Sequence, residues 1–390
     1  MITLSTADNA LREVYLGVLA NQLNTTINPL LAKINQTTSD VWGKEIRKIA
    51  PYGINGGIGA GTEDGALPTA SATNYAQFVL PLKNLYGKIE ISDKAIRASE
   101  SSTGAFVNLL NSEMENLLKS SAFNFGRMLY GDGTGTLAHA QDNTNDYILV
   151  DTTANLIEGM VFDIVSDTNV VVYKQIKIAS IDRANKKVYP ISMPCPADTL
   201  FESNYRLVVQ GSFNNEITGL GAIFKDSGTL YGLDRSAHKW LVPYMKDNSG
   251  ADITENAIQH AIDELDEYAN SKVDFIVCSA GVKRNYQSYL SSYRSNIDIL
   301  NLEGGFKAIS YNGIPVVSDR FAPANTMFLL DTKDFNMHQL CDWKWLESED
   351  GRIIKQNLNK PTYQATLVKY ADLICNKPAG QAMLSNIKES

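Results

Sequence analysis

Between Pro51 and Leu82 the chain has almost nothing with which to build a core. Six glycines (Gly53, Gly56, Gly57, Gly59, Gly61 and Gly65) fall in this stretch, Ala, Ser and Thr fill much of the rest, Glu63 and Asp64 are its only charges, and it contains no Lys or Arg. Glycine loses the most backbone freedom on ordering, and small side chains bury too little apolar surface to offset that loss. The flanks read differently. Glu45 to Ala50 is compatible with a strand, Tyr75 to Leu82 with another, and Gly87-Lys88-Ile89-Glu90-Ile91-Ser92 alternates strictly, which marks a strand with one face buried. The pattern predicts a long two-stranded excursion with a floppy tip, placed outside whatever core the chain forms.

The rest of the chain is ordinary globular material. Its 390 residues are 44% hydrophobic and 20% charged, enough for two or three compact units. Leu11, Val14, Tyr15, Val18, Leu19 and Leu23 recur at helical spacing, and Asn28 before Pro29 reads as the cap of a second short helix. The longest helix runs from Gly104 to Tyr130, capped by Ser102 or Thr103 and ended by Gly131. Its apolar stripe is Phe106, Val107, Leu110, Met114, Leu117, Leu118, Ala122, Phe125 and Met128. At 1.5 Å per residue it spans roughly 40 Å and is expected to act as a spine.

From Tyr147 to Gln210 short β-rich runs follow one another (Tyr147–Val150, Met160–Val165, Val170–Ile181, Lys186–Ile191, Tyr205–Val209), which predicts a small inserted barrel or sandwich. A mixed α/β region follows. It has a helix from Thr254 to Asn270 with Ile258, Ile262, Leu265 and Ala269 inward, a buried strand Phe275–Cys278, a helix from Val282 to about Tyr293, and strands Ile314–Val317 and Met327–Leu330. The extended segment Tyr363–Cys375 has to pair with something earlier. No repeat of 20 to 50 residues is present.

Chemical motifs fail one by one. Gly57-x-Gly59-x-Gly61 is not followed by the last glycine of GxGxxG, position 62 being Thr, nor by GK[ST] or a helix, so it does not cradle phosphate. Gly131-Asp132-Gly133-Thr134-Gly135 follows a helix instead of a strand and reads as a turn. His139, His238, His260 and His338 have no metal-ligand spacing. Ser236-x-x-Lys239 and Ser385-x-x-Lys388 match SxxK without its partner motifs. Asp252, Glu255, Asp263, Glu264, Asp266 and Glu267 crowd one helix as a metal-binding face, a partner-binding face or plain solvation, the last being the simplest. Tyr286, Tyr289 and Tyr293 form either an interface stripe or a face packed on a sheet. No catalytic, cofactor-binding or metal-binding residue is assigned.

Charge and cysteine use narrow the setting. Thirty-five basic against 43 acidic residues give −8, which argues against a dedicated nucleic-acid binder. Cys195, Cys278, Cys341 and Cys375 are too scattered for zinc pairs or a disulfide scaffold and read as reduced core thiols of a cytoplasm-like compartment. No apolar run approaches a membrane span, and Val14–Ala20 is too short and wrongly flanked by Arg12 and Glu13 for a signal peptide.

Three stretches carry a resemblance. Leu85-Tyr86-Gly87-Lys88-Ile89-Glu90-Ile91-Ser92-Asp93-Lys94-Ala95-Ile96 resembles the passage from extended loop to spine helix in the HK97-fold major capsid proteins of tailed bacteriophages. Phe123 to Gly135, ending in GDGTG, is similar to the end of that family's spine helix. Tyr311 to Asp319 with Thr326 to Phe335 is similar to its late axial strands. The resemblance implies an α+β, HK97-like capsid fold. Residues 1–44 would be the N-terminal arm, 45–92 the extended loop, 93–140 and 345–390 the peripheral domain, 141–211 a β-rich insertion, and 212–344 the axial domain.

It further implies a self-assembling, non-enzymatic subunit without cofactors, forming hexamers and pentamers of an icosahedral head. Its partners would be other copies of itself, a portal protein, a separate scaffolding protein and a decoration or cementing protein, around double-stranded DNA held without sequence specificity. Assembly would take place in the host cytoplasm, the virion would be the destination, and no membrane would be involved. Two departures from the family are expected to matter: no long scaffolding segment precedes the arm, and the loop tip has no lysine for an isopeptide cross-link, Lys83 and Lys88 at its base being the nearest. The alternatives are an encapsulin-like non-viral shell of the same fold and an α/β enzyme with a site assembled from distant residues.

Overall fold

The computed structural model describes residues 28–94, 103–192, 205–292, 299–301, 307–348 and 351–389. The periodic segment Leu11–Leu23 and Cys195 lie outside them. Asn28 does cap: its Oδ1 accepts from the backbone N–H of Leu30 (2.9 Å) and Leu31 (3.0 Å). A single turn follows in place of the expected helix, because the chain extends at once into β1 (Asn35–Thr37), whose backbone pairs with Asn336–His338. Leu30, Leu31 and Ile34 are buried in the main core, so this stretch packs on the body of its own chain.

β2 (Val41–Trp42) turns onto β3 (Glu45–Tyr52), which pairs antiparallel with β4 (Asn74–Pro81) from Glu45↔Pro81 to Tyr52↔Asn74. This is the two-stranded excursion. β5 (Lys83–Ser92) is not part of it. It pairs from Lys83↔Ala371 to Ser92↔Thr362 with a C-terminal strand, so the loop range 45–92 takes in a strand of the body.

The spine, α1 (Thr103–Met128), crosses β5 at Gly87. A Cβ there would lie 3.0 Å from Leu117 Cδ1 and 3.1 Å from Ser121 Oγ, so any side chain would press on both and glycine gives helix and strand their close approach. Met114, Ala122, Phe125 and Met128 are buried as expected. Leu117 and Leu118 are half-buried, and Leu117 lies at the lip of a cleft. The side chains of Phe106, Val107 and Leu110 lie outside the description. The GDGTG segment is a turn: Gly133 (φ 85°) and Gly135 (φ 81°) take left-handed conformations, and Asp132 Oδ1 accepts from Thr134 N (3.1 Å).

The β-rich insertion is a barrel. Strands β6 (Thr136–Asn143), β7 (Ile148–Val150), β8 (Val161–Val165), β9 (Val171–Asp182), β10 (Lys187–Pro190) and β11 (Arg206–Val209) close in the order β10-β7-β6-β11-β8-β9 around their own apolar core. Its first strand begins at Thr136, ahead of the expected boundary at 141, because closure needs β6 between β7 and β11.

Beyond the barrel come β12 (Thr229–Leu230), β13 (Leu233–Asp234) and β14 (Tyr244–Asp247). They are followed by α2 (Glu255–Ala269), β15 (Phe275–Cys278), α3 (Ala280–Ser292), β16 (Ile299–Asn301), β17 (Lys307–Tyr311), β18 (Ile314–Ser318) and β19 (Met327–Leu330). Thr254 caps α2 by accepting from Ala257 N, and Asn270 ends it in the left-handed region. Ile258, Ala261 and Leu265 face inward, whereas Ile262 and Ala269 are half-buried. Tyr286 on α3 is fully buried against the sheet, with its ring stacked on Tyr289 at 6.5 Å, which decides for packing over an interface stripe. Tyr293 lies outside the description.

The last strands, β20 (Phe335–Trp345), β21 (Lys355–Gln356), β22 (Thr362–Cys375) and β23 (Ala382–Ser385), divide between two sheets. One runs β1-β20-β22-β21, with β5 on the other side of β22. The other is seven-stranded, β14-β23-β19-β15-β18-β17-β16. A cut at residue 345 therefore fails in both directions: β20 is bonded to β22, and β23 lies between β14 and β19. Ladder bonds assign a strand to its sheet, and position along the chain does not reveal them.

Candidate assembly surface

The hairpin β3/β4 presents two unlike faces. Ile46, Ala50, Phe78 and Leu80 alternate inward and are buried, while Ile49, Pro51, Tyr75 and Val79 alternate outward and are exposed. Beyond it the tip carries Ile54 (76% exposed), Ile58 (77%) and Leu67 (90%), and no side chain from Gly53 to Thr73 is buried. Apolar groups on a soluble monomer are normally scattered singly, so a whole projecting element of them marks a contact surface.

The base of the hairpin is held firmly. Tyr52 stacks on Trp240 (centroids 5.1 Å, planes 5° apart), and Phe78 packs against Trp240 (5.9 Å) and Tyr231 (5.0 Å). Val79 N donates to Tyr231 O (3.0 Å), and Tyr231 Oη accepts from Cys375 N (2.8 Å), tying the same residue to β22. Burial pushes the Tyr231 phenol well above its ordinary range, so the hydroxyl stays neutral. The rings thus hold the base of the hairpin on the body, while its far end buries no side chain among the described residues.

Buried polar pairs brace the platform behind it. Arg127 near the end of α1 bonds Glu216 in the segment leaving the barrel, and both are buried; burial holds the Glu216 carboxyl up while the guanidinium opposes that. Lys369 Nζ, fully buried, donates to Gln339 Oε1 (2.8 Å) and Asp342 Oδ1 (2.6 Å), beside the rings of Phe125 and Trp343. Asp372 accepts from Thr218 N (2.6 Å) and Leu373 N (2.8 Å).

The remaining sequence candidates stay apart. His139 lies on the barrel beside Asp151, His238 edges onto Trp240, His260 is 4.0 Å from Glu264, and His338 is buried with Nδ1 2.8 Å from Ser39 O. Among the described residues no three His, Cys, Asp or Glu side chains gather where they would hold a metal. Ser236 closes a turn on Asp234 and does not meet Lys239 in any bond described, and Ser385 bonds Lys246 O. Asp252 precedes the α2 cap and bonds Asn285 (2.7 Å) instead of joining the helix acids. Cys278, Cys341 and Cys375 are free thiols; burial pushes Cys278 up to about 12. Lys83 donates to Asn214 O (3.0 Å) and Lys88 lies 3.7 Å from Glu90.

Sequence reasoning missed the Trp240 clamp, since Trp240 stands next to the SxxK match and far from Tyr52 in the chain. No helix of the described residues is long and apolar enough to cross a membrane.

No family model matches the chain, and no curated protein matches it in sequence. Solved structures match in fold. A chain of the cyanophage A-1(L) capsid asymmetric unit superposes with a TM-score of 0.58 at 13% identity, over 94% of this chain and 94% of that one. The holo-SrpI encapsulin complex of Synechococcus elongatus PCC 7942 aligns at 0.47 and 10% identity, over 95% of each chain. The satellite phage P4 procapsid aligns at 0.44 and 11%, over 96% of this chain and 99% of that one. The α+β, HK97-like capsid fold implied by the three sequence stretches is the fold of this chain.

Proposed function

We propose that the chain is the major capsid protein of a tailed phage or prophage. Copies of it assemble as hexamers and pentamers into an icosahedral head that encloses double-stranded DNA. The observation that carries this is the hairpin: an element anchored by aromatic stacking at its base, with no buried side chain from Gly53 to Thr73 and with Ile54, Ile58 and Leu67 exposed, on a fold shared along nearly its whole length with a cyanophage capsid chain. Shells need many repeated modest contacts, and a projecting loop supplies interface area without enlarging the core. The reading gives the chain no catalytic turnover. It places the chain in the virion after assembly in the host cytoplasm, with a portal, a separate scaffold and a decoration or cementing protein as partners. A net charge of −8 suits a container, since a basic lining would retard the polymer.

The test is size-exclusion chromatography with negative-stain microscopy, with and without a co-expressed scaffold. Closed particles support the reading, and a stable monomer under both conditions sinks it.

A further inference from the structure

The barrel joins the body through a neck of two neighbouring segments, residues 131–135 leading out of α1 and residues 210–216 leading back. Asn214 N donates to Thr134 O (3.1 Å) and Val209 N to Gly135 O (3.3 Å), so the two segments run bonded side by side. Gly133 (φ 85°), Gly135 (φ 81°), Gly211 (φ 68°) and Asn214 (φ 59°) all take left-handed conformations there. A glycine changes φ and ψ without hindrance from a Cβ, and hinges are short segments that absorb such changes. We propose that the barrel turns on this neck as a rigid body, and that the turn sets the width of the cleft of about 1010 Å³ between the barrel and α1. The motion belongs to the single chain and does not depend on the shell reading.

Three observations converge on a hinge. Among the described strands each barrel strand pairs with barrel strands, and they enclose a core of their own, so a turn of the whole breaks no ladder and opens no core. Contact with the body is small. Of the described residues from 136 to 209, Ile157 and Met160 alone pack on the main core, and units joined by so little apolar surface move relative to one another as a rule. Arg183 spends its guanidinium on Thr153 O (3.1 Å) and Leu156 O (3.1 Å), and Arg206 on Asn169 Oδ1 (2.5 Å), all inside the barrel. Glu158–Val161 and Val209–Ser212 line one side of the cleft, with Leu117, Ser120 and Phe123 of α1 on the other. Finally, the neck is fastened at its two ends. On the body side Glu216 meets Arg127, Asp132 lies 3.3 Å from Lys225, and Asn214 O accepts from Lys83 (3.0 Å). On the barrel side Asp163 Oδ2 accepts from Gly211 N (2.8 Å). Gly133 and Gly135 lie between these fastenings.

The test is double electron–electron resonance on the unassembled full chain, with nitroxides carried on an unnatural keto side chain so that the native cysteines stay in place. One pair spans the cleft, Ser120 on α1 with Ala184 in the turn between β9 and β10. Two control pairs stay within one unit, Asn145 with Ala184 in the barrel and Ser120 with Glu267 in the body; all four residues are exposed. The spanning pair is expected to give a distance distribution at least about twice as wide as either control. Lys83→Met removes the tie to Asn214 O and is expected to widen it further while leaving the controls unchanged. A spanning distribution as narrow as the controls overturns the proposal. A barrel control as broad as the spanning pair overturns it as well, because the barrel would then deform instead of turning. Either result leaves the shell reading where it stands.

Discussion

The barrel closes six strands on a core of its own, with Phe162, Ile164, Val188 and Leu207 fully buried, whereas from Gly53 to Thr73 the hairpin tip buries no side chain at all. Both are excursions from the same body. Each buried aliphatic or aromatic side chain stabilises the barrel by about 1.5–3 kcal/mol, so it holds its shape without help. The tip has comparable groups in Ile54, Ile58 and Leu67, but none of the described residues buries them. A segment with its own core can be destabilised; a segment without one can only be left unpartnered.

The largest expected effect follows from that contrast. Replacing Gly53–Thr73 by a two-residue turn is expected to abolish particles while cooperative melting shifts by no more than about 3 °C, because no core contact is lost. Loss of cooperative melting in that variant would place the tip in the core. Phe162→Ala in the barrel is expected to cost about 3–5 kcal/mol and, in calorimetry, to split off an early barrel transition while the body melts as before. One transition shifting as a whole would deny the barrel its independence.

A third effect belongs to neither excursion. Burial pushes the carboxyl of Asp372 on β22 up from 3.8 to about 6, against the hydrogen bonds from Thr218 and Leu373. The native chain then keeps a proton that the unfolded chain has lost between about pH 4 and 6. This contribution is complete below about pH 4 and falls as pH rises to about 6, by about 3 kcal/mol. Asp372→Asn should remove this share of the slope and leave that of Asp334, whose carboxyl burial also pushes up to about 6, and deleting the tip should leave both unchanged; a slope carried by the tip would break the separation of the two regions. Smallest of all, Leu67→Ser is expected to alter monomer stability by under about 0.5 kcal/mol in urea titration while lowering particle yield. A loss above about 1 kcal/mol would mean that Leu67 packs on its own chain.

Local chemistry made much of this fold readable in advance. Phe275–Cys278 and Met327–Leu330 are strands with those very ends, Thr254 and Asn270 cap the helix between them, and the alternation of Gly87–Ser92 gives its buried face. Pairing was not readable. That β6 closes the barrel, that β20 lies on β22 and that β23 returns between β14 and β19 depend on bonds between residues far apart in the chain, which periodicity does not encode. The assembly surface divides the same way. The tip was legible from its glycines and missing apolar period, while the Tyr52–Trp240 clamp exists only once distant segments are brought together.

Hydrogen exchange read by mass spectrometry, on the unassembled chain and on purified particles, addresses the contrast most directly. Peptides from Gly53–Thr73 are expected to exchange at nearly unprotected rates in the free chain and to become strongly protected in particles, with the β8 and β11 peptides of the barrel slow in both. Tip amides that exchange equally fast in closed particles, or that are already protected in the free chain, would contradict the account.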